Sequence, residues 1–469
     1  MKIINTLGMT SVLLLAGCAS FSPDGGLNNV REISGLHQDV IVLRAPEDVA
    51  AARAVMDELL QDRLTTDEAV RIALLNNREL QAAYNTLGIS EAELMEAKLP
   101  PNPLFTLSRI AGGGTVELEA QIAANILGLA TMPSRTKIAD ERFRLAQLEA
   151  ADTVLRTAAN ARRAWYRAVA ARELAGFIAQ ARATAETSAE LSKRLGESGA
   201  INKIEQADSQ VFYAELTAQL ASARQNAASE RETLIRALGL WGEDLDFKLP
   251  AALPALPKKP QVLESVEADA IRNRLDVQMA RIETEALAKS YGLMNATRFI
   301  DLLEVSGIAI NTRLPDGDLE KERGFEAEFE VPLFDFGGVK TRKAEETYMR
   351  SVNLLTAKAV NARSEAREAY QTYRSAHDIA RHYQNEVLPL RKIISDETML
   401  RYGAMQVDVF ALLTEERQRM ISTATAVDAK RDFWLADVNL GVALHGGGVS
   451  TSEEGASSME MEESAGGHD

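Results

Sequence analysis

Cysteine occurs once, at Cys18, in a chain of 469 residues. A single thiol supports neither an internal disulfide framework nor a thiolate metal cage. Histidine is almost as scarce, limited to His37, His377, His382, His445 and His468. His377 and His382 stand about 140° apart around a helix and share no face. All the histidines read as solvated surface groups. No HExxH, glycine-rich phosphate loop or G-x-S-x-G accompanies them. An enzyme, a metal site and a cofactor are therefore not expected. Aromatic residues make up 5% of the chain, few for a globular enzyme with a compact core. Basic residues number 52 against 68 acidic ones, and the net charge of −16 argues against nucleic acid as a partner. Beyond the N-terminal segment there is no apolar run of about 18 residues, which excludes a transmembrane helix. Such a chain can cross a membrane only as a closed β-barrel.

Proline is missing from one very long stretch and nearly so from another. From Ser134 to Arg194 helix formers continue with one interior glycine, Gly176. Ordinary globular helices run about 8–20 residues; at 1.5 Å per residue this one would be roughly 90 Å long. From Val339 to Arg401 there is no glycine, and only Pro389 interrupts. Each stretch ends at a glycine-containing reversal, Leu195–Ala200 in the first and Tyr402-Gly403-Ala404 in the second. Return helices follow, from Asn202 to Leu238 and up to about Gly441. Between the halves, Gly239–Gln261 carries Pro250, Pro254, Pro257 and Pro260, a stiff non-helical linker.

At the N-terminus, Lys2 and the apolar Val12–Leu15 precede Leu15-Ala16-Gly17-Cys18, a secretory signal too short for a membrane anchor. The following residues, to about 63, read as extended and irregular, with Pro23, Gly25, Gly26, Gly35 and Pro46. Thr65 and Glu68 then fit a capping box. Ala69, Ile72, Ala73, Leu80, Ala83 and Leu87 follow at helical spacing, up to Pro100-Pro101-Asn102-Pro103. Next the period changes to two: Leu104–Ala111, a Gly112-Gly113-Gly114 turn, and Thr115–Asn125 read as a hairpin. Val116, Leu118, Ala120 and Ile122 alternate with Glu117, Glu119 and Gln121.

The pattern then repeats. A helix is expected over Ser265–Ala296, with strands over Phe299–Thr312 and Gly324–Leu333. In the last strand Phe325, Ala327 and Phe329 alternate with Glu326, Glu328 and Glu330. Asp67–Ala83 aligns with Glu264–Ala280, with Ala73/Ala270 and Gln81/Gln278 identical. Arg162-Arg163-Ala164-Trp165 aligns with Arg367-Glu368-Ala369-Tyr370. The chain is a tandem duplication. Trp165, Tyr166, Tyr370 and Tyr373 at matched places form either a belt between neighbouring long helices or a local core. Four strands cannot close a membrane barrel, whose smallest examples have about eight. Three copies would give twelve, enough for a water-filled lumen. The glutamate faces are then either simply solvated or cation-selecting rings, each carboxylate recurring around one axis.

The order of these motifs resembles the TolC-like outer-membrane efflux proteins, over nearly all of residues 60–445. Leu64-Thr65-Thr66-Asp67-Glu68-Ala69-Val70, Asn76-Asn77-Arg78-Glu79-Leu80 and Pro100-Pro101-Asn102-Pro103 carry it in the first half. Val331-Pro332-Leu333-Phe334-Asp335-Phe336-Gly337-Gly338, Leu388-Pro389 and the Tyr402-Gly403 turn before Asp408-Val409-Phe410-Ala411-Leu412-Leu413 carry it in the second. The resemblance implies a mainly α fold with a small β part: tandem-duplicated long α-helical hairpins plus four transmembrane strands. It also implies a homotrimeric α-barrel continuous with a twelve-stranded β-barrel in the outer-membrane lipid. A periplasmic adaptor and an inner-membrane efflux pump are the implied partners. Leu-Ala-Gly-Cys resembles a lipobox, making Cys18 an acylated N-terminus; Ala19 in place of an acidic retention signal implies the outer membrane.

On this basis the chain divides into signal peptide 1–17, lipid-anchored segment 18–63, first repeat 64–240, linker 241–263, second repeat 264–445 and disordered tail 446–469. The reversals at Gly196–Gly199 and Tyr402–Gly403 are the expected periplasmic tip, where the adaptor docks. Asp408 falls where the family carries an acidic constriction, so it is the expected gate carboxylate, although the second turn is shorter than usual. Glu117, Glu119, Glu326, Glu328 and Glu330 are the expected lumen-facing acids. The stretch Arg401–Phe410 loosely resembles the heavy-metal branch of the family, and Met459, Met461 and His468 in the tail suit soft ions. Metal-ion export and protein secretion thus stand beside drug export. A spacer lipoprotein without a channel is the contrasting class, and the amphipathic hairpins speak against it.

Overall fold

The structure, a computed structural model, describes residues 21–36 and 40–447. Cys18, His37, Met459, Met461 and His468 lie outside the described residues. So do the signal segment and the tail from residue 448 onward.

The chain forms two compact units, each drawing on both halves of the duplication. Of the described residues, the first takes 21–33, 83–150 and 276–359, and the second takes 34–36, 40–82, 151–275 and 360–447. In chain order the helices before the sheet are α1 (Leu27–Ser34), α2 (Pro46–Leu59), α3 (Thr66–Asn76) and α4 (Arg78–Lys98). Strands β1 (Leu104–Gly112) and β2 (Thr115–Asn125) lead into α5 (Ile126–Glu197) and α6 (Lys203–Leu238). The second half holds α7 (Val266–Asn273), α8 (Leu275–Ala296), β3 (Leu302–Arg313), β4 (Leu319–Glu330), α9 (Gly338–His382), α10 (Leu388–Gly403) and α11 (Val409–His445).

The segment expected to be irregular contains two helices, α1 and α2. Pro46 opens α2, at a position where a missing N–H costs nothing. The glycines lie outside the helices, with positive φ at Gly25, Gly26 and Gly35. Upstream of α1, the Ser22 amide and hydroxyl both donate to Glu91 Oε1, at 2.7 and 2.5 Å. Pro23, Gly25, Gly26 and Gly35 are turn formers flanking short helices rather than parts of an extended run.

The helix expected from Thr65 onward is two helices, and so is its counterpart in the second half. The Thr65–Glu68 capping box is present as expected. Asn77 then turns extended (φ −68°, ψ 120°), and so does the aligned Arg274 (φ −62°, ψ 124°). The N–H of each still reaches the carbonyl four residues back, on the fully buried Ala73 and Ala270. Asn77 Oδ1 accepts from the amides of Glu79 and Leu80, capping α4. A break conserved between the halves is itself a sign of the duplication.

Helix α5 is longer than expected, 72 residues with Pro133 inside it. Its start was hidden because Asn125, the last residue of β2, is also its cap: Asn125 Oδ1 accepts from Gly128 N–H at 2.6 Å. Pro389 does not end the second long helix either. A π-turn at Tyr383–Val387 lengthens the winding just before it, and Leu388 N–H bonds to the Tyr383 carbonyl. That extra residue makes room for a proline ring that would otherwise meet a carbonyl.

In the second unit one apolar cluster joins Ile178, Phe212, Leu216, Val409 and Leu413. Another centres on Tyr373, Phe433 and Leu440. The aromatics of the repeats resolve as local anchors within the chain. Trp165 Nε1–H donates to the Leu64 carbonyl at 2.9 Å, and the aligned Tyr370 hydroxyl accepts from Leu263 N–H at 3.3 Å. Each aromatic thus holds the segment that enters the first helix of its half. Tyr166 stacks on Trp434 at 5.3 Å.

The proline-rich linker is fastened by the same group. Trp434 Nε1–H donates to Pro254 O at 3.2 Å, Lys430 to Leu253 O at 2.8 Å, and Tyr373 accepts from Gln261 N–H at 3.1 Å. His377, expected at the surface, is 1% exposed. It packs edge-on against Phe433 and donates through Nε2 to Pro257 O at 3.1 Å. It is a core residue because the linker covers it; His382 is exposed as expected. At the C-terminal end, Gly446 and Gly447 are buried rather than part of a loose tail, and Gly447 N–H donates to Asp152 Oδ1 at 2.7 Å.

Candidate functional site

The four strands form one antiparallel sheet in the order β1-β2-β3-β4, so β1 and β4 are its open edges. The second hairpin is shifted from the expected limits: β4 starts at Leu319, and the turn is only residues 314–318. Charged Glu320, Lys321, Glu322 and Arg323, expected in the loop, are strand residues paired with β3.

Directly paired residues share a face, so the register assigns every side chain. On one face lie Glu117 and Glu119 of β2, Glu304 of β3, and Glu320, Glu322, Glu326, Glu328 and Glu330 of β4. All the expected strand acids are therefore on the same face, and three further glutamates join them. Glu304 stands directly opposite Glu328. Gln121 Nε2 donates to Ser306 Oγ at 2.9 Å and to Glu326 Oε2 at 3.3 Å, tying three strands together on this side. The other face carries Phe105 and Leu107, Leu118 and Ile122, Leu303 and Val305, Phe325 and Phe329.

Exposure is inverted relative to a water-soluble sheet. In β2 the polar side, residues 117, 119 and 121, is half-covered, whereas 118, 120 and 122 are exposed. In β3, Ser306 is buried between exposed Val305 and Gly307. Leu107 is 73% exposed and Phe325 85%. A soluble sheet buries its apolar face; this one leaves it exposed, while the opposite face is the more covered in β2 and around Ser306 of β3, and every residue of β4 is exposed.

Where β4 gives way to α9, the run Val331–Gly338 makes a rigid corner. Asp335 accepts from the amides of Gly337 and Val339, each at 3.1 Å. Those N–H groups, Val339 foremost, hold its carboxyl below the usual carboxylate value. Phe336 and Gly337 both have positive φ. Phe334 is fully exposed.

The two helix reversals lie in the second unit and share one backbone design. Ala200 N–H reaches Leu195 O at 2.8 Å and Gly199 N–H reaches Gly196 O at 3.1 Å. Gln406 N–H reaches Arg401 O at 2.9 Å and Met405 N–H reaches Tyr402 O at 3.0 Å. Both are Schellman closures. The left-handed residue is Gly199 (φ 77°) in the first and Met405 (φ 58°) in the second. The sequence pointed to Gly403 as the turn glycine, but it is the last residue of α10. Methionine at the left-handed position gave no signal that sequence reasoning could use. Tyr402 packs against the apolar cluster around Phe212 and Val409.

Asp408 is exposed, and its Oδ1 accepts from Ala411 N–H at 2.8 Å as the N-cap of α11. Asn202 does the same for α6, accepting from Ile204 and Glu205. Among the described residues no group of three or more His, Cys, Asp and Glu side chains is arranged to hold a metal, and no helix is long and apolar enough to cross a membrane.

No family model and no curated protein sequence matches the chain. Solved structures do. CusC, described for its folding and transmembrane channel formation, superposes with a TM-score of 0.69 at 16% identity, over 81% of this chain and 92% of that one. The CmeC outer-membrane channel of Campylobacter jejuni gives 0.66 at 14%, over 92% and 94%. The open-state MtrE outer-membrane channel of Neisseria gonorrhoeae gives 0.67 at 16%, over 81% and 89%. These neighbours are channel proteins, not enzymes. The chain has the fold of the TolC-like outer-membrane channels, mainly helical with one small antiparallel sheet.

Proposed function

We propose that this chain is the exit duct of a tripartite efflux system in the outer membrane. Three copies join edge to edge, β1 of one to β4 of the next, and close a twelve-stranded barrel. Closure removes the open edges, which lipid does not tolerate. The single observation that carries this reading is the sheet's two unlike faces, with exposed Phe105, Leu107 and Phe325 on one and the glutamates gathered on the other. Lipid takes the apolar side; water and cargo take the acidic side. Acylated Cys18 adds a second hold on the membrane.

The duct is passive. An inner-membrane pump supplies cargo, and a periplasmic adaptor docks at the reversals around Gly196–Gly199 and Tyr402–Met405. Asp408, exposed beside the second reversal, supplies an entrance carboxylate through the oxygen that its capping bond does not use. Rings of carboxylate favour cationic cargo, metal ions and organic cations alike.

The test is conductance in planar bilayers with purified protein. A cation-preferring pore is expected, and E326Q/E328Q/E330Q should reduce that preference. Variants loosened at the reversals should conduct more. Silence from every one of them, or a preference for anions, contradicts the proposal. Challenging a deletion strain with copper, silver, dyes and antibiotics then separates metal from drug cargo.

A further inference from the structure

The outward face of the sheet is not apolar along its whole length. Counting rows by register from the helix end, Leu303 pairs with Phe329, then Val305 with Ala327, then Phe105, Ile122, Gly307 and Phe325 line up. The next row adds Arg323 beside Leu107, Ala120 and Ala309. The row after that holds Arg109, Leu118, Asn311 and Lys321, and the last holds Arg313 beside Val116. All the strand cations on this face thus sit at its hairpin end. No strand carboxylate shares the face with them.

The four cations are exposed, and no ion pair joins any of them to another described residue. The aspartates of the adjacent turn, Asp316 and Asp318, lie beyond the last row, where Asp318 N–H donates to Asp316 Oδ1 at 3.2 Å. Rows succeed one another by about 7 Å along the strand. From the Phe329 row to the Lys321 row is roughly 27 Å, or about 20 Å of membrane height at the usual strand tilt, close to the apolar band of known barrels. Along β4 this brings Lys321 to the end of the hydrocarbon, and Arg323, one row below, reaches the same level by the length of its side chain; Arg109 and Arg313 lie in the last two rows. A charge on the lipid face is costly at mid-depth and nearly free of cost at the interface.

We propose that Arg109, Arg313, Lys321 and Arg323 form a basic rim that binds the phosphate groups of anionic lipid headgroups in the outer leaflet. The inference rests on the duct reading, because the membrane gives the rim its height. Edge-to-edge closure sets β4, which carries Lys321 and Arg323, against β1 of the neighbouring copy, which carries Arg109, so each seam draws cations from two chains. Guanidinium groups match phosphate in a two-point fork, and lysine adds a point charge.

The test uses the full-length protein in nanodiscs of phosphatidylcholine doped with bisphosphorylated lipid A or with its dephosphorylated form. Retained lipid is counted by native mass spectrometry. The wild type should retain the phosphorylated lipid about tenfold better, in line with charge-assisted pairing. R109Q/R313Q/K321Q/R323Q should lose that preference while R109K/R313K/R323K keeps most of it. Equal retention of both lipids by the wild type overturns the proposal. So does undiminished preference in an assembled, conducting glutamine variant. If that variant fails to assemble, the wild-type comparison and the lysine variant decide. A wild type that neither inserts nor conducts strikes the duct reading instead.

Discussion

Gly337 faces the backbone of Arg298, so that a β-carbon placed on Gly337 would collide with the Arg298 carbonyl. Its φ of +72° is a second reason for glycine. G337A should therefore destabilise the protein by about 2–3 kcal/mol, a left-handed penalty plus a displaced backbone. Thermal unfolding and the yield of assembled protein check this. G338A, at a neighbour with open space around it, should be close to neutral.

The helix reversals offer a test with opposite signs. Gly199 and Met405 hold the same left-handed position in equivalent closures. M405G should relieve about 1 kcal/mol of strain, and G199A should add about as much. Hydrogen-exchange protection of the last turn of α10 should rise in the first variant, and that of α5 should fall in the second. No difference between the two would mean that the strain is dissipated elsewhere.

Trp165 anchors the segment that enters α3. W165F keeps most of the packing but takes the donor away from the Leu64 carbonyl. A cost of about 1–3 kcal/mol is expected for a buried carbonyl left without its partner. Urea unfolding of W165F against the wild type measures it.

Asp335 gives a pH dependence. Its folded value is held down by two amide donors, so the stabilisation is fully present above the ordinary carboxylate value. It is lost as pH falls through the lowered folded value. D335N should flatten the acid limb of a stability profile below about pH 4 and leave the neutral plateau with a smaller change. A profile with the same acid limb in both proteins would remove Asp335 from the account.

The long helices, the hairpins and the duplication were legible because period and glycine placement express them directly. The acidic face of β2 and β4 was legible for the same reason. Other features depend on pairing or on burial by distant segments. Lys321 and Arg323 read as loop until β3 supplied their partners. His377 read as surface until the linker covered it. Asn125 served as strand end and helix cap at once, which no single period reveals. Met405 carries a conformation that its residue type disfavours, so local propensity pointed to Gly403 instead.

The central claim is that the open edges β1 and β4 meet in a ring of three. Cys18 is the only native cysteine, so engineered pairs can be read against a simple background. Cysteines are placed on outward or inward positions of β1 and β4, one on each edge, and oxidised in outer membranes. At positions level across the seam, covalent dimers and closed trimers should form, with no larger species. No cross-link at any level, or a ladder running past the trimer, would contradict the account.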